Sequence, residues 1–353
     1  MTKLFFTLTL LCLTFGIAWG GAFVNPYGAF DTNGFEDKQK VFVAADKASG
    51  FNNGAEVVRI LRPLANSGDT IALFQIADAY SDPDMGILDY KEAMRWYKLT
   101  SDQGIGKNEL IKLVGQSRHT IGGMYKRGLG VAKDYREAVK WYRLALDQQF
   151  WGARYDLGLI YYSGGNGVAQ DYAEAMSWFK QATMLGHSGA QNKLGDMYDR
   201  GLGVPQDYKE ALRWYKLAAD PRDAGTRDTD TQFNRGDIDA QYALGDMYYN
   251  GRGVLQDYKE AVKWWRLAAE NGDATAQASL GFMYAKGMGV LQDYARAHMW
   301  WNIASAAGDA NGTKNRDIIA KKMTPQQIEK AQEMAKACQA RTRRFKRSLK
   351  ECW

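Results

Sequence analysis

Residues 244–269 read LGDMYYNGRGVLQDYKEAVKWWRLAA, and the pattern of this stretch recurs along most of the chain. In six segments an Asp-Tyr pair is followed by Ala three residues after the tyrosine and by Trp six residues after it. Successive tyrosines stand 36 residues apart, or 36 plus an insertion, and the two long insertions fall near 105–113 and 220–235. A fixed period of this length is typical of a repeat architecture. The six tyrosines are Tyr90, Tyr135, Tyr172, Tyr208, Tyr258 and Tyr294.

Each repeat predicts two helices joined by a glycine-rich turn. In the copy that begins at Asp273, Ala276, Leu280 and Met283 recur at intervals of three and four residues, which is helical spacing. The Gly-x-Gly-Val that follows is too rich in glycine to stay helical, and the aspartate before the next tyrosine suits a helix N-cap. One helical hairpin cannot bury its apolar stripe alone, so neighbouring hairpins must stack. The sequence therefore predicts an all-α, right-handed α-solenoid superhelix of about seven helix-turn-helix repeats with a C-terminal capping helix.

The repeated motif resembles the Sel-one-like repeat (SLR) family, which is related to the tetratricopeptide repeats. The resemblance is carried by Leu-Gly-x-x-Tyr, Gly-x-Gly-Val, Asp-Tyr, Ala and Trp at the family's spacing, as in residues 194–219, and it covers about 53–308. It weakens in the first two repeats, which fits a capping end. The resemblance implies a protein–protein interaction scaffold that binds a partner on the concave face of the solenoid, and no enzyme. Cys-rich members have been linked to penicillin binding or β-lactamase activity, so a cell-wall or β-lactam hydrolase is the disfavoured alternative, because no repeat here holds a cysteine.

The chain divides into five predicted segments. Residues 1–20 are a signal peptide, 21–52 an N-terminal lead-in and 53–308 the SLR solenoid, whose weaker first repeat begins near Gly54. Residues 309–340 are predicted to form capping helices, and 341–353 a basic tail. Thr324 and Gln327 are spaced as a capping box, and Pro325 suits the first position of a helix.

The first 20 residues have the composition of a secretory signal. Lys3 supplies the positive start, residues 4–18 are mostly apolar, and Ala18-Trp19-Gly20 is a small-x-small cleavage site. We expect cleavage near Gly20 and export, to the periplasm or out of the cell. A retained membrane anchor is the alternative interpretation. Past this segment no stretch approaches the 18 or so apolar residues of a membrane span.

Two cysteines follow the predicted signal peptide. Cys338 and Cys352 form a possible disulfide, since an oxidising compartment favours pairing. Two free thiols, or an intermolecular bridge, are the alternatives. Cys12 lies in the apolar part of the signal, and because Leu11 before it is not small, a lipid attachment site is not predicted.

The net charge of +6 arises from 46 Lys and Arg against 40 Asp and Glu. With 46% hydrophobic residues, this composition excludes wholesale disorder. Residues 336–353 hold seven basic residues and one acid, so the rest of the exported chain is nearly neutral. The basic end is either a solvated helix end or a contact for an anionic membrane surface or an acidic partner. Nucleic acid is disfavoured, because the chain is predicted to be exported. The tail cations are Arg341, Arg343, Arg344, Lys346 and Arg347.

The sequence predicts no catalytic residue, metal site or cofactor. It lacks a Gly-x-Ser-x-Gly elbow, a P-loop and a His-Glu-x-x-His motif. His119, His187 and His298 stand in different repeats, and we interpret them as surface or packing residues. The polar run 228–234 faintly suggests a calcium loop, but Phe233 stands where such a loop needs glycine.

The predicted binding face lies on the first helix of each repeat, which usually lines the concavity of a solenoid. Three positions of that helix share one face and vary between repeats. Counted from the tyrosine near the end of the helix, they lie five residues before it, two residues before it and two residues after it. A neutral, solvated surface is the alternative. Tyr162 and Tyr249, each one residue after the tyrosine of its repeat, are predicted to be exposed and are candidate aromatic anchors for a peptide or helix. The predicted partner-binding residues are Asp156, Leu159, Tyr162, Ser163, Lys193, Asp196, Arg200, Ala243, Asp246, Tyr249 and Asn250.

Overall fold

The computed structural model describes residues 32–103, 108–220 and 236–345 of the chain. In these residues it has sixteen α-helices, a short 3-10 turn at Pro83–Met85 and no β-strand. The helices fall into two compact units, an N-terminal unit up to Asp171 and a C-terminal unit from Tyr172. The predicted all-α class is therefore confirmed.

The N-terminal unit contains seven helices, which are α1 (Thr32–Gly50), α2 (Gly54–Asn66), α3 (Thr70–Ser81), α4 (Tyr90–Ser101), α5 (Asn108–Arg127), α6 (Tyr135–Asp147) and α7 (Ala153–Ser163). The C-terminal unit contains α8 (Tyr172–Thr183), α9 (Ser188–Arg200), α10 (Tyr208–Ala219), α11 (Ile238–Asn250), α12 (Tyr258–Glu270), α13 (Ala274–Lys286), α14 (Tyr294–Ala306), α15 (Ala310–Ala320) and α16 (Pro325–Phe345).

Each predicted repeat forms a hairpin of two helices, as the periodicity indicates. We call the first helix of a repeat its A helix (α3, α5, α7, α9, α11 and α13) and the second its B helix (α4, α6, α8, α10, α12 and α14). The hairpin α1–α2 precedes the six repeats, so that part of the predicted lead-in is helical. Helix α5 has 20 residues against 11 to 13 in the other A helices, because part of the first predicted insertion lengthens it. Residues 221–235 of the second insertion lie outside the described residues.

One backbone hydrogen bond closes all six of these hairpins. The N–H of the aspartate before each B helix donates to the carbonyl of the tyrosine near the end of the A helix, at 2.9–3.0 Å. In five repeats the aspartate side chain also accepts from N–H groups in the first turn of the B helix, as an N-cap does. The pairs are Asp89–Tyr80, Asp134–Tyr125, Asp171–Tyr161, Asp207–Tyr198, Asp257–Tyr248 and Asp293–Tyr284.

The two glycines of the Gly-x-Gly turn serve different purposes. Gly201 ends α9 in the left-handed region at φ 67°, where a residue with a Cβ is strained. Gly203 also has a positive φ, and a Cβ built on it would lie 2.8 Å from Tyr172 Cβ at the start of the previous B helix. The second glycine therefore lets each turn pack against the preceding repeat, and the predicted structural role of this motif is confirmed.

In each repeat that lies within one unit, an aromatic ring fills the space between the two helices. It belongs to the residue after the recurring tryptophan, and it is at most 5% exposed in all six repeats. The tryptophan itself is half-buried in four of them. In four repeats a glycine of the A helix lies under the ring, so close that a Cβ would overlap it. These pairs are Gly122–Tyr142, Gly195–Tyr215, Gly245–Trp265 and Gly281–Trp301.

The helix α16 closes the C-terminal end of the core. Thr324 N–H donates to Gln327 Oε1 at 2.9 Å and Gln327 N–H to Thr324 Oγ1 at 3.3 Å, so the predicted capping box is confirmed. Ala335 and Cys338 are buried in one hydrophobic cluster with Trp301. The helix continues to Phe345, so its last turn includes part of the segment predicted as a tail.

Adjacent glycines in α5 provide a test of this packing. A Cβ on Gly122 would lie 2.8 Å from the Tyr142 ring, whereas the nearest atoms to a Cβ on Gly123 are 3.7 Å away. We expect Gly122→Ala to lower the free energy of unfolding by about 1–3 kcal/mol through overpacking. Gly123→Ala should raise it by about 0.5–1 kcal/mol, since alanine is the better helix former. Chemical denaturation of both variants measures this, and equal effects of the two changes would contradict the packing model.

Candidate functional site

The structure places the predicted partner-binding residues on the A helices α7, α9 and α11. Four of them, Asp156, Leu159, Tyr162 and Ser163, lie in or at the end of α7 in the N-terminal unit, and the rest lie in the C-terminal unit. Most of them are half-buried. The exposed members are Ser163, Arg200 and Asn250. The predicted face thus consists of side chains that already contact their own fold, and their contacts differ between the two units.

Asp156 is the centre of a polar cluster in the N-terminal unit. Its carboxylate accepts from His119 Nε2 at 2.7 Å and from Lys126 Nζ at 2.6 Å. The imidazole of His119 packs between Tyr142, at 5.2 Å between ring centroids, and Phe150, at 4.8 Å. His119 and Lys126 belong to α5, so the cluster links the A helices of two successive repeats. The sequence analysis missed both partners, because they lie 37 and 30 residues before Asp156.

The environment of Asp156 favours its charged form. Burial alone would raise the pKa of this carboxyl, but the hydrogen bond and charge of His119, with those of Lys126, lower the pKa to about 2. The pKa of Tyr142 is raised, chiefly by burial and then by the charge of Asp156. The side chain of Asp156 is only 19% exposed. The predicted binding residue is therefore also a structural one.

A second polar cluster lies on α9 and α11 in the C-terminal unit, and Arg252 holds it together. Arg252 Nη1 donates to Asp199 Oδ1 at 3.0 Å and Oδ2 at 3.2 Å, while Nη2 pairs with Asp246. Asn250 Nδ2 also donates to Asp246 Oδ1, at 2.9 Å. Burial raises the pKa of Asp199, and the nearby Arg252 opposes that rise. Two predicted residues, Asp246 and Asn250, thus meet in one network with two unpredicted ones.

The remaining predicted residues of the C-terminal unit lie around this network. Arg200 Nη1 lies 3.4 Å from Asp196 Oδ2. The negative charge of Asp196 contributes to the raised pKa of Asp199. Ala243 packs against the cluster of α10 and α11. Tyr249 is half-buried rather than exposed, because its ring contacts Tyr258, Trp265 and Phe282 at centroid distances of 5.4–6.4 Å. It packs the core, which limits its use as an aromatic anchor.

A third polar cluster, which the sequence analysis did not predict, lies in the first repeat. Tyr97 Oη donates to Asp78 Oδ1 at 2.5 Å, and Ser81 Oγ lies 3.1 Å from Tyr97 Oη. Burial raises the pKa of Asp78 to about 7, although the hydrogen bond from Tyr97 opposes the rise. Asp78 stands two residues before Tyr80, the same repeat position as Asp196 and Asp246. This shared register is the signal that could have found it.

The three histidines have separate structural environments. His187 caps α9 by accepting from Ala190 N–H at 3.2 Å. His298 is buried in α14, and that burial, reinforced by the charge of Arg316, lowers its pKa. Within residues 32–103, 108–220 and 236–345, no group of His, Cys, Asp and Glu is arranged to hold a metal ion. Among the helices described, none is both long and apolar enough to cross a bilayer.

Several predicted features fall at or past the edge of the described residues. Cys338 is buried and takes part in a disulfide, whereas its predicted partner Cys352 lies outside them. Arg341, Arg343 and Arg344 stand on the last turns of α16. Lys346, Arg347 and the polar run 228–234 also lie outside the described residues.

These helical hairpins, with their Gly-x-Gly turns and capping aspartates, define a tetratricopeptide-like repeat fold. A family model described as Sel1 repeat matches all six hairpins, at residues 70–105, 121–150, 151–187, 188–220, 238–273 and 274–309. The chain therefore belongs to the Sel1 repeat family, and the resemblance seen in the sequence is confirmed. Proteins of this family are generally scaffolds for protein–protein interactions and are typically non-catalytic.

Two solved structures have the same repeat fold. One is c5321, a protective antigen present in uropathogenic Escherichia coli strains that displays an SLR fold, with 30% identity over 86% of this chain and a TM-score of 0.65. This chain spans 58% of the length of that structure. The other is a Sel1 repeat protein from Oxalobacter formigenes, with 30% identity, a TM-score of 0.59, and coverage of 74% of this chain and 98% of its own. Among curated protein sequences, none matches the chain.

The Asp156 cluster predicts a distinct pH dependence of stability. Since the folded pKa of about 2 lies below the ordinary aspartate value of 3.8, Asp156 stabilises the fold above pH 4, and this contribution disappears as the pH falls from 4 through 2. We expect Asp156→Asn to lower the free energy of unfolding at pH 7 by about 2 kcal/mol and to flatten its decline in acid. Chemical denaturation between these pH values measures both effects. Asp147→Asn, which alters an exposed carboxylate at the end of α6, is the control, and an equal effect there would contradict the assignment.

Proposed function

We propose that this protein is an exported adaptor that holds a protein partner on the face formed by its A helices. The family supports the general role, because Sel1 repeat proteins typically bind protein partners. One observation supports the site. Asp246 and Asn250 of α11, which are predicted to contact a partner, meet Asp199 of α9 around Arg252 in a single charged network that spans two A helices. A fixed network of this kind presents both signs of charge in a defined arrangement.

The exposed residues at and beside that network are suited to selective contacts. Asn250 of the network is exposed, and the side chain of Arg200, which pairs with Asp196 beside it, is 57% exposed, while Arg252 and Asp199 are half-buried. Because the buried ion pairs hold the carboxylates in place, a partner meets a pre-organised surface and loses little conformational entropy on contact. Complementary charges then contribute mainly to specificity and to the rate of association. We assign this face to the concave side that solenoids of this class present.

No observation favours the alternative function, a cell-wall or β-lactam hydrolase. In the described residues, the titratable groups with shifted pKa values belong to hydrogen-bonded pairs and clusters, to helix caps or, as His298 does, to the buried part of the fold. We therefore assign no enzymatic activity. The contact of Arg341, Arg343, Arg344, Lys346 and Arg347 with an anionic surface stays a prediction.

Partner binding can be tested at Arg200, which lies at the surface of the proposed site. We expect Arg200→Glu to reduce capture of the partner from an envelope extract by about tenfold, since one rim charge reversal opposes a complementary surface. The partner is the protein that the unaltered chain enriches and that the variant loses. The matched control is Lys263→Glu, because Lys263 is similarly exposed and paired within its own B helix. Equal capture by Arg200→Glu and the unaltered protein would rule out this face.

Export and disulfide formation can be tested on one sample of the protein isolated from its native source. N-terminal sequencing should find a mature chain that begins at or near Gly21, because cleavage is predicted after Gly20. Peptide mapping without reductant should find Cys338 linked to Cys352 in the same chain, as an oxidising compartment favours. An intact residue 1 would contradict cleavage, and free thiols or a linked dimer would contradict the intramolecular bridge.

A further inference from the structure

Four of the six B helices carry the same charged pattern on their outer surface. Counted from the tyrosine that starts the helix, they have Lys or Arg at the fifth and eighth following positions, Leu at the ninth, and Asp or Glu at the twelfth. Helices α8 and α14 lack the pattern. Positions five, eight or nine, and twelve are one helical turn apart, so they form a continuous stripe. The four stripes are Arg95-Lys98-Leu99-Asp102, Lys140-Arg143-Leu144-Asp147, Arg213-Lys216-Leu217-Asp220 and Lys263-Arg266-Leu267-Glu270.

Two surface cavities in the described part of the chain are built from this stripe. The cavity beside α4, of about 400 Å³, is lined by all four stripe residues of that helix together with Met94, Gly130 and Val131. The cavity beside α12, of about 370 Å³, is lined by the four stripe residues of α12, with Trp264. The two cavities lie in different units and still use the same repeat positions. The stripe is therefore a recurring surface feature with an apolar component.

Contacts within the fold hold the cations of the stripe in place. On α4, Arg95 lies 3.7 Å from Glu92, one turn earlier, and Lys98 lies over the ring of Tyr125 in the next A helix. The side chain of Arg95 is nevertheless 70% exposed. An exposed pair of this kind contributes little to folding stability. Arg95 can therefore exchange its partner for one on another molecule at little cost to the fold.

The order of charges along α4 makes the stripe complementary to itself. If two copies of α4 lie antiparallel, with a two-fold axis between Lys98 and Leu99, then Arg95 of one copy faces Asp102 of the other. The reciprocal pair follows by symmetry, and Lys98 of each copy lies beside Leu99 of the other. An interface with such symmetry uses the same patch on both molecules. Two ion pairs then flank a centre in which Leu99 of each copy packs against the aliphatic part of Lys98 of the other.

Exposure distinguishes the two stripes of the N-terminal unit from those of the C-terminal unit. Leu99 is 39% exposed and Asp102 is exposed, and on α6 Leu144 is 40% exposed and Asp147 is exposed. Of these two stripes we choose α4, because all four of its stripe residues line a surface cavity. On α12, Glu270 is only 8% exposed and Leu267 is half-buried. On α10, Leu217 is half-buried. Within the same molecule, Arg118 of α5 lies close to the end of the α4 stripe. Arg118 donates to the Ser101 carbonyl at 3.3 Å, and its charge attracts Asp102.

We propose that the α4 stripe, residues Arg95, Lys98, Leu99 and Asp102, is a homodimer interface that pairs with the same stripe of a second copy of this chain. The mixture of charges favours a protein surface over a membrane or a nucleic acid, since those present a single sign of charge that Asp102 would repel. The interface lies on B helices, so it is separate from the partner-binding face proposed above and does not depend on it.

Sedimentation equilibrium of the purified protein tests this proposal. We expect a monomer–dimer equilibrium between about 1 and about 100 μM, the range in which small interfaces dissociate. Reductant is included so that an intermolecular disulfide cannot account for the dimer. Leu99→Asp should abolish association, and Arg95→Asp or Asp102→Arg should each weaken it by at least about tenfold, because each places like charges opposite one another.

Mixing the two charge variants provides the most specific result. Arg95→Asp and Asp102→Arg molecules carry complementary stripes, so the mixture should form heterodimers although each variant alone is monomeric. A misfolded variant could not produce this rescue. The matched control is Arg213→Asp on α10, where the arginine is 68% exposed and pairs with Glu210, and it should leave the dimer unchanged. A monomer at all concentrations, a dimer insensitive to Leu99→Asp, or a mixture without heterodimers would each overturn the proposal.

Discussion

The repeat depends on the hydrogen bond from the N–H of the aspartate before each B helix to the carbonyl of the A-helix tyrosine. This bond satisfies a carbonyl at the end of one helix and fixes the start of the next. In five hairpins eight residues stand between this tyrosine and this aspartate, and in the hairpin between α7 and α8 there are nine. There the turn takes a different course through Gly164, Gly165 and Gly167, and Asp171 still donates to Tyr161 at 2.9 Å. The chain therefore absorbs an extra residue in the turn and keeps the bond.

This bond and the aromatic packing beneath it determine which positions are left for function. The tyrosine, the aspartate that bonds to it and the buried ring recur in all six repeats, and the Gly-x-Gly turn recurs in the same form in four, so a substitution there alters folding first. Two sets of positions are less constrained. One lies on the A helices, where the position two before the tyrosine is Leu159 in one repeat, Asp196 in the next and Phe282 in the last. The other lies on the outer surface of the B helices. Proteins of this repeat class that differ in their partner or in their assembly must therefore differ mainly at these two sets of positions.

The sequence predicts the structural features that recur from repeat to repeat. It does not predict the side-chain contacts that one repeat makes with the next. Period, hairpins, N-caps and the Thr324–Gln327 capping box follow from local chemistry, and the structure confirms them. In five of the six repeats the more deeply buried ring belongs to the residue after the recurring tryptophan, as at Tyr142, and the sequence pattern does not distinguish these two positions. The contact of Arg252 with Asp199 joins residues 53 apart across an insertion. Such a contact depends on how one hairpin stacks on the next, and no local pattern encodes that geometry.

The two variable surfaces use their charges in physically different ways. On the A helices, Asp156 and Arg252 make half-buried contacts between repeats, and removing one partner leaves a charge without compensation in a poorly solvated place. On the B helices, Arg95 and Lys263 pair with a glutamate one turn away in full contact with solvent, where an ion pair contributes less than about 1 kcal/mol. The A-helix face is consequently rigid and tied to stability, whereas the B-helix face can change its charges at little cost to folding. A surface of the second kind can gain or lose an association without altering the repeat that carries it.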